Sequence, residues 1–249
     1  MLILLPPSET KRTGGLDPHL SVAGLRFPGL AALRRSLVRD VAHLARDPAA
    51  SMVALKLGPR LADEVGRNLV LAKSPTMPAL DRYTGVLYDA LDAASLAEEA
   101  RRFAGEHLVI HSALFGPVSA LDAIPAYRLS HDSRVPGIQL KRYWSAAVTR
   151  ELSGGGLILD LRSEGYVGLG PVAGNPQSYF LRVVTIGPDG TSRALNHFNK
   201  SAKGLLTRQL LMNGEDFESV PELLDWAVQA GIGLTLGGPG ELVLVASGH

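Results

Sequence analysis

Short apolar runs of strand length alternate along this chain with stretches of helical spacing, and that alternation restricts its possible folds more than any other feature. Leu2 to Leu5 is an apolar run stopped by Pro6-Pro7, and His107 to His111, Leu157 to Leu161 and Phe180 to Ile186 read as further strands. Between them, Ala31 to Arg46 carries Leu33, Leu37, Val41 and Leu44 at helical spacing, and Ile138 to Leu152 carries Leu140, Trp144 and Val148. Leu96 to Glu106 and Val220 to Ala230 are helical, and Ala54 to Asn68 reads as two short helices around Gly58-Pro59. Pro188-Asp-Gly190 is a turn that folds Ile186 back toward Arg193, and Gly237 to Gly240 joins a final strand pair, 232–236 with 242–246. The hairpin around Pro188-Asp-Gly190 argues against a purely parallel sheet. The expectation is an α/β (mixed α+β) fold, one domain over residues 1–249 with a mixed sheet flanked by helices. Ser8 to Leu25 is expected as loop and Pro117 to Arg128 as irregular chain. Arg34, Arg35 and Arg39 are expected on a solvated basic face.

With 249 residues, 46% hydrophobic and 20% charged, the chain can bury a substantial core. The formal net charge is only +1, so nucleic-acid binding would have to rest on a local patch. Cysteine is absent, which excludes disulfides, thiolate metal sites and thiol catalysis and fits a cytoplasmic location. The first apolar run is too short for a signal peptide, and no stretch approaches the roughly 18 apolar residues of a membrane span.

Several constellations can carry chemistry. Lys200, Lys203 and Arg208 fall at the start of a helix after an extended segment, Arg193 to Phe198. The first turn of a helix is already positive, so these cations call for an anion opposite them, a phosphate or a carboxylate. Ser8 and Lys11 follow the first strand, where ligands of α/β proteins tend to bind, and Glu9 beside them can act as an acid or base. Ser112 follows another strand; it lacks the Gly-x-Ser-x-Gly elbow of a serine nucleophile and reads as a positioning hydroxyl. Arg128 lies in an extended segment. Arg162, Ser163, Glu164 and Tyr166 crowd the end of the Leu157 strand, either as a tuned acid–base group or as a turn with a local ion pair. Lys56, Gly58, Arg60 and Arg67 surround a Gly-Pro turn similar to the hairpin of a helix-hairpin-helix motif, whose backbone approaches DNA phosphate. His107 and His111 stand too far apart on a strand to chelate readily, and neither a metal nor a nucleotide cofactor motif is found.

Taken in order, these segments resemble the YaaA family of bacterial peroxide stress proteins. The resemblance is carried by Leu2-Ile-Leu-Leu-Pro-Pro-Ser-Glu-Thr-Lys11, Gly85-Val-Leu-Tyr88, Ser112-Ala-Leu-Phe-Gly116 and Pro125-Ala-Tyr-Arg-Leu129. Tyr143-Trp144, Leu161-Arg-Ser-Glu-Gly-Tyr166 and Lys200-Ser-Ala-Lys-Gly204 complete it. Glu9 stands where some members have Lys, Lys203 replaces an Arg and Ala113 replaces a Gly. The resemblance implies a YaaA-type fold with a positively lined cleft and a helix-hairpin-helix element over about 50–68. It also implies non-specific binding of double-stranded DNA and a role in limiting iron-driven damage. In that reading Lys56, Arg60, Lys200, Lys203 and Arg208 contact phosphate. The alternative is an enzyme acting on a small anionic or nucleotide-like molecule, with Glu164 as acid or base and Ser112 and Tyr166 orienting. Ser8, Lys11, Arg128, Ser163, Lys200 and Lys203 would then bind the anion.

Overall fold

The computed structural model describes residues 1–186, 192–194 and 198–246. The first strands are β1 (Leu2–Leu5), β2 (Leu16–His19), β3 (Pro75–Pro78), β4 (Leu108–Ser112), β5 (Gly116–Ser119) and β6 (Ala123–Ile124). They are followed by β7 (Ile158–Asp160), β8 (Ser178–Ile186), β9 (Ser192–Ala194), β10 (Leu234–Leu236) and β11 (Glu241–Val245). The helices begin with α1 (Ala31–Leu44), α2 (Pro48–Ala54), α3 (Glu64–Leu69), α4 (Ala79–Arg82) and α5 (Val86–Leu91). They continue with α6 (Glu98–His107), α7 (Leu140–Leu152), α8 (Glu164–Val167), α9 (Phe198–Asn213) and α10 (Val220–Gln229).

The main sheet is mixed, in the order β10-β11-β8-β7-β1-β4-β5, with β9 paired to β8. Its centre, β11-β8-β7-β1-β4, is parallel, while β5, β9 and β10 pair antiparallel at the margins. Parallel strands need cover on both faces, which is why Ile3, Leu4 and Leu5 form an unbroken apolar run and are all buried. The anticipated turn at Pro188-Asp-Gly190 lies outside the described residues, but the strands on either side of it do pair antiparallel. Residues 195–197 of the expected extended segment also lie outside them. The C-terminal hairpin forms as expected, Leu234 opposite Leu244. Among the described residues no helix is long and apolar enough to cross a membrane.

Three expectations are corrected. The Ser8–Leu25 stretch holds β2, which joins β3 and β6 in a separate three-stranded sheet. Chain 117–128 contains the end of β5 and all of β6; Pro117 is accommodated because β5 is an edge strand. Finally, Arg34 leaves the basic face of α1 and is fully buried. Its Nε donates to Phe115 O at 2.7 Å, and its Nη atoms donate to Phe27 O at 3.2 Å and Pro117 O at 2.7 Å. Burial lowers its pKa to about 10, still far above neutrality, so the charge persists and three carbonyls share it. Arg35 and Arg39 are exposed as expected.

One helix contact bears on the site. At Gly204 of α9 a side-chain carbon would lie 2.1 Å from Leu87 O and 2.9 Å from Ala90 Cβ. Only glycine allows α9 to approach α5 this closely, and the same approach sets Lys203 against the sheet edge.

Candidate functional site

β1, β4 and β7 are adjacent and parallel, so their carboxyl ends open on one edge of the sheet. The segments leaving those ends carry the residues singled out from sequence. After β1 the chain turns at Pro6-Pro7, and Lys11 returns to bridge Tyr83. Lys11 is 6% exposed; its Nζ donates to Ser8 O at 2.8 Å and Glu9 O at 3.2 Å. The ammonium also lies 4.2 Å from the centre of the Tyr127 ring and 5.3 Å from that of Tyr83. Burial, then the charges of Arg128 and Arg67, brings its pKa down from 10.5 to about 7, against the weaker opposing pull of Glu64 and Glu9. A lysine held this way exchanges between charged and neutral forms near neutrality, as an acid, base or nucleophile must.

Arg128 is 8% exposed, and its Nη2 donates to Glu9 Oε2 at 2.7 Å. Its backbone is clamped by Asn68, whose Nδ2 donates to Arg128 O at 2.7 Å and whose Oδ1 accepts from Arg128 N at 2.8 Å. Ser112 ends β4. Its Oγ accepts N–H bonds from Leu114 at 3.1 Å and Phe115 at 3.0 Å and lies 2.7 Å from the Tyr127 hydroxyl. With both lone pairs engaged, Ser112 donates to Tyr127, which lies 2.8 Å from the Tyr83 hydroxyl. The three hydroxyls thus form a buried chain beside Lys11, and Ser112 positions rather than attacks. Burial pushes both tyrosines well above their ordinary pKa, so they remain neutral donors.

At the end of β7, the anticipated local ion pair is present and buried. Arg162 Nε and Nη2 donate to Asp160 at 2.8 and 2.6 Å, while Nη1 reaches His111 Nδ1 at 2.7 Å and Gly170 O at 2.9 Å. Burial and then Arg162 hold His111 well below its ordinary pKa, so it is neutral. Lys203 Nζ donates to Leu161 O at 3.0 Å. Burial, partly offset by Asp160, lowers its pKa to about 8. Tyr166 is buried between His131 and His111, with ring centres 5.0 and 6.2 Å away. Ser163 and Glu164 are exposed at the start of α8, and Lys200 is exposed on α9. Arg208 turns away from the sheet edge: Nη1 donates to Leu91 O and Asp92 O, both at 3.0 Å, and caps α5.

The hairpin residues separate. Lys56 pairs with Asp132 at 2.6 Å, Arg60 is exposed, and Gly58 has open space where a side chain would stand. Arg67 instead points inward and pairs with Glu64 at 2.9 Å. Sequence reasoning passed over Tyr83, Tyr127 and Glu64. Tyr83 and Tyr127 lie within or beside motifs already noted, but only the fold shows that their hydroxyls meet Ser112.

The geometry defines an α/β protein in which buried cations and hydroxyls cluster at the carboxyl edge of a mixed sheet. The family model for the peroxide stress protein YaaA matches residues 1–230, and the chain belongs to that family. It is 42% identical over 238 residues to a UPF0246 protein of Corynebacterium efficiens, covering 93% of this chain and 94% of that one. It is similar to a UPF0246 protein of Streptomyces coelicolor at 38% over 230 residues, 90% and 88% of the two chains. A UPF0246 protein of Polynucleobacter asymbioticus matches at 28% over 229 residues, 86% of each. A general role in peroxide stress follows from the family.

Proposed function

We propose that the peroxide-stress role runs through the Lys11 crevice, which binds a small anionic or nucleotide-like molecule and transfers a proton on it. The observation that carries this reading is the Lys11 amine, 6% exposed, 4.2 Å from the centre of the Tyr127 ring and within the field of Arg128. Lys11 rather than the exposed Glu164 is the acid–base group. Arg128 and Lys203 provide positive charge, the Ser112–Tyr127–Tyr83 chain fixes donors, and Tyr166 orients. In this reading Ser8, Ser163 and Lys200 contact the outer part of the ligand.

A second reading, double-stranded DNA bound non-specifically at the hairpin so as to limit iron-driven damage, is favoured by one observation. Lys56 holds a left-handed φ of 55°, and Leu57 N–H closes the turn on Met52 O at 2.8 Å. This leaves the backbone around Gly58 open to a phosphate, with Arg60 beside it.

Complementation separates the two. In a strain lacking the protein, Lys11→Gln should fail to restore survival of peroxide, while Lys56→Glu/Arg60→Glu should restore it. Full rescue by Lys11→Gln ends the first reading. The second fails if duplex DNA does not bind at low salt.

A further inference from the structure

Arg67 belongs by sequence to the hairpin cations, but α3 turns it toward Lys11. It pairs through Nη2 with Glu64 Oε1 at 2.9 Å, and the two side chains are only 23% and 19% exposed. Among the described residues Arg67 Nη1 and Glu64 Oε2 are both buried without a hydrogen-bond partner. A donor and an acceptor from one ion pair are thus left unsatisfied together, which is rare in a folded interior. The next residue, Asn68, clamps the Arg128 backbone, so α3 and the Arg128 segment are locked side by side. Lys11 feels Arg128, Arg67, Glu64 and Glu9, and its ammonium faces the Tyr83 and Tyr127 rings.

We propose that Arg67 and Glu64 are a recognition pair for one small oxyanion that carries its own hydroxyl or amine. The oxyanion accepts from Arg67 Nη1, and the neighbouring hydroxyl or amine donates to Glu64 Oε2. Arg128 and Lys11 balance the charge. A hydrogenphosphate and a hydroxy- or amino-carboxylate share this chemistry; acetate has only half of it. The proposal rests on the Lys11 crevice being a binding site, and it adds the residues that select the ligand.

Calorimetry with inorganic phosphate, glycolate and acetate on the full chain tests it, alongside NMR of reductively 13C-methylated lysines to follow Lys11. Phosphate or glycolate should bind about tenfold or more tighter than acetate, and binding should shift the Lys11 titration to higher pH. Preference for phosphate identifies a phosphate-bearing ligand, and preference for glycolate a hydroxy-carboxylate. Arg67→Gln should lose about tenfold in affinity, and Glu64→Gln should lose the discrimination against acetate. Arg67→Lys, checked for folding by circular dichroism, keeps the charge but not the forked donors and should also bind weakly. If binding and selectivity survive in folded Arg67 variants while Lys11 still responds, the recognition pair is wrong and the crevice reading stands. If no anion moves the Lys11 titration, both are wrong.

Discussion

Replacing Lys11 with methionine should remove a pH dependence of stability that the wild-type chain possesses. In the unfolded chain Lys11 titrates at its ordinary 10.5; in the folded chain it titrates at about 7. From about pH 7 to about pH 9 the unfolded state therefore keeps the proton while the folded state releases it. The unfolded state binds more protons, so stability rises with pH across the window. One full proton difference corresponds to about 1.4 kcal/mol per pH unit. The folded amine is half charged at the lower end and neutral at the upper, so the integrated gain is about 2 kcal/mol. Lys203, lowered to about 8, adds a smaller slope of the same sign in both proteins and cancels in the comparison. Met fills a similar volume but leaves the Ser8 and Glu9 carbonyls without their donor, a loss that does not vary with pH. Urea titrations of both proteins at the two pH values isolate the slope. Wild type should gain about 2 kcal/mol more than Lys11→Met. Parallel profiles would show that Lys11 is solvated and titrates normally, and the acid–base argument would fall with it.

Asp160→Asn leaves the fully buried Arg162 without its carboxylate and should cost about 3–5 kcal/mol in chemical denaturation; a loss under about 1 kcal/mol would mean that water reaches the guanidinium. Gly204→Ala forces a carbon against the Leu87 carbonyl, which cannot rotate away, and should cost about 3 kcal/mol in the same assay. If duplex DNA binds at the hairpin, Arg60→Gln should lower the slope of log affinity against log salt by about 1, read by fluorescence anisotropy. An unchanged slope places the contact elsewhere.

Much of the scaffold was legible because apolar period and breakers are local signals. The Leu2–Leu5 strand, α1, α7 and the C-terminal hairpin follow from spacing, proline and glycine alone. β2, β5 and β6 were not legible, since they are short, β2 and β5 carry proline, and all three exist only through pairing with another strand. Arg34 shows the same limit for single residues. Its helical position is written in the sequence, but its burial depends on carbonyls near residue 115 that happen to face it. Within the site, strand-end position flagged Ser8, Lys11 and Ser112, while Arg67 and Arg208 were grouped by charge with residues from which the fold separates them.

What the sequence alone determined is the class of fold, the family and the strand ends at which chemistry gathers. These depend on local periodicity and ordered motifs. Which cation meets which partner was decided only by tertiary structure. Lys11 became a lysine titrating near neutrality because β1, α3 and the Arg128 segment converge and exclude water from one amine. Charge can be counted along a chain, whereas desolvation arises only when distant segments pack together.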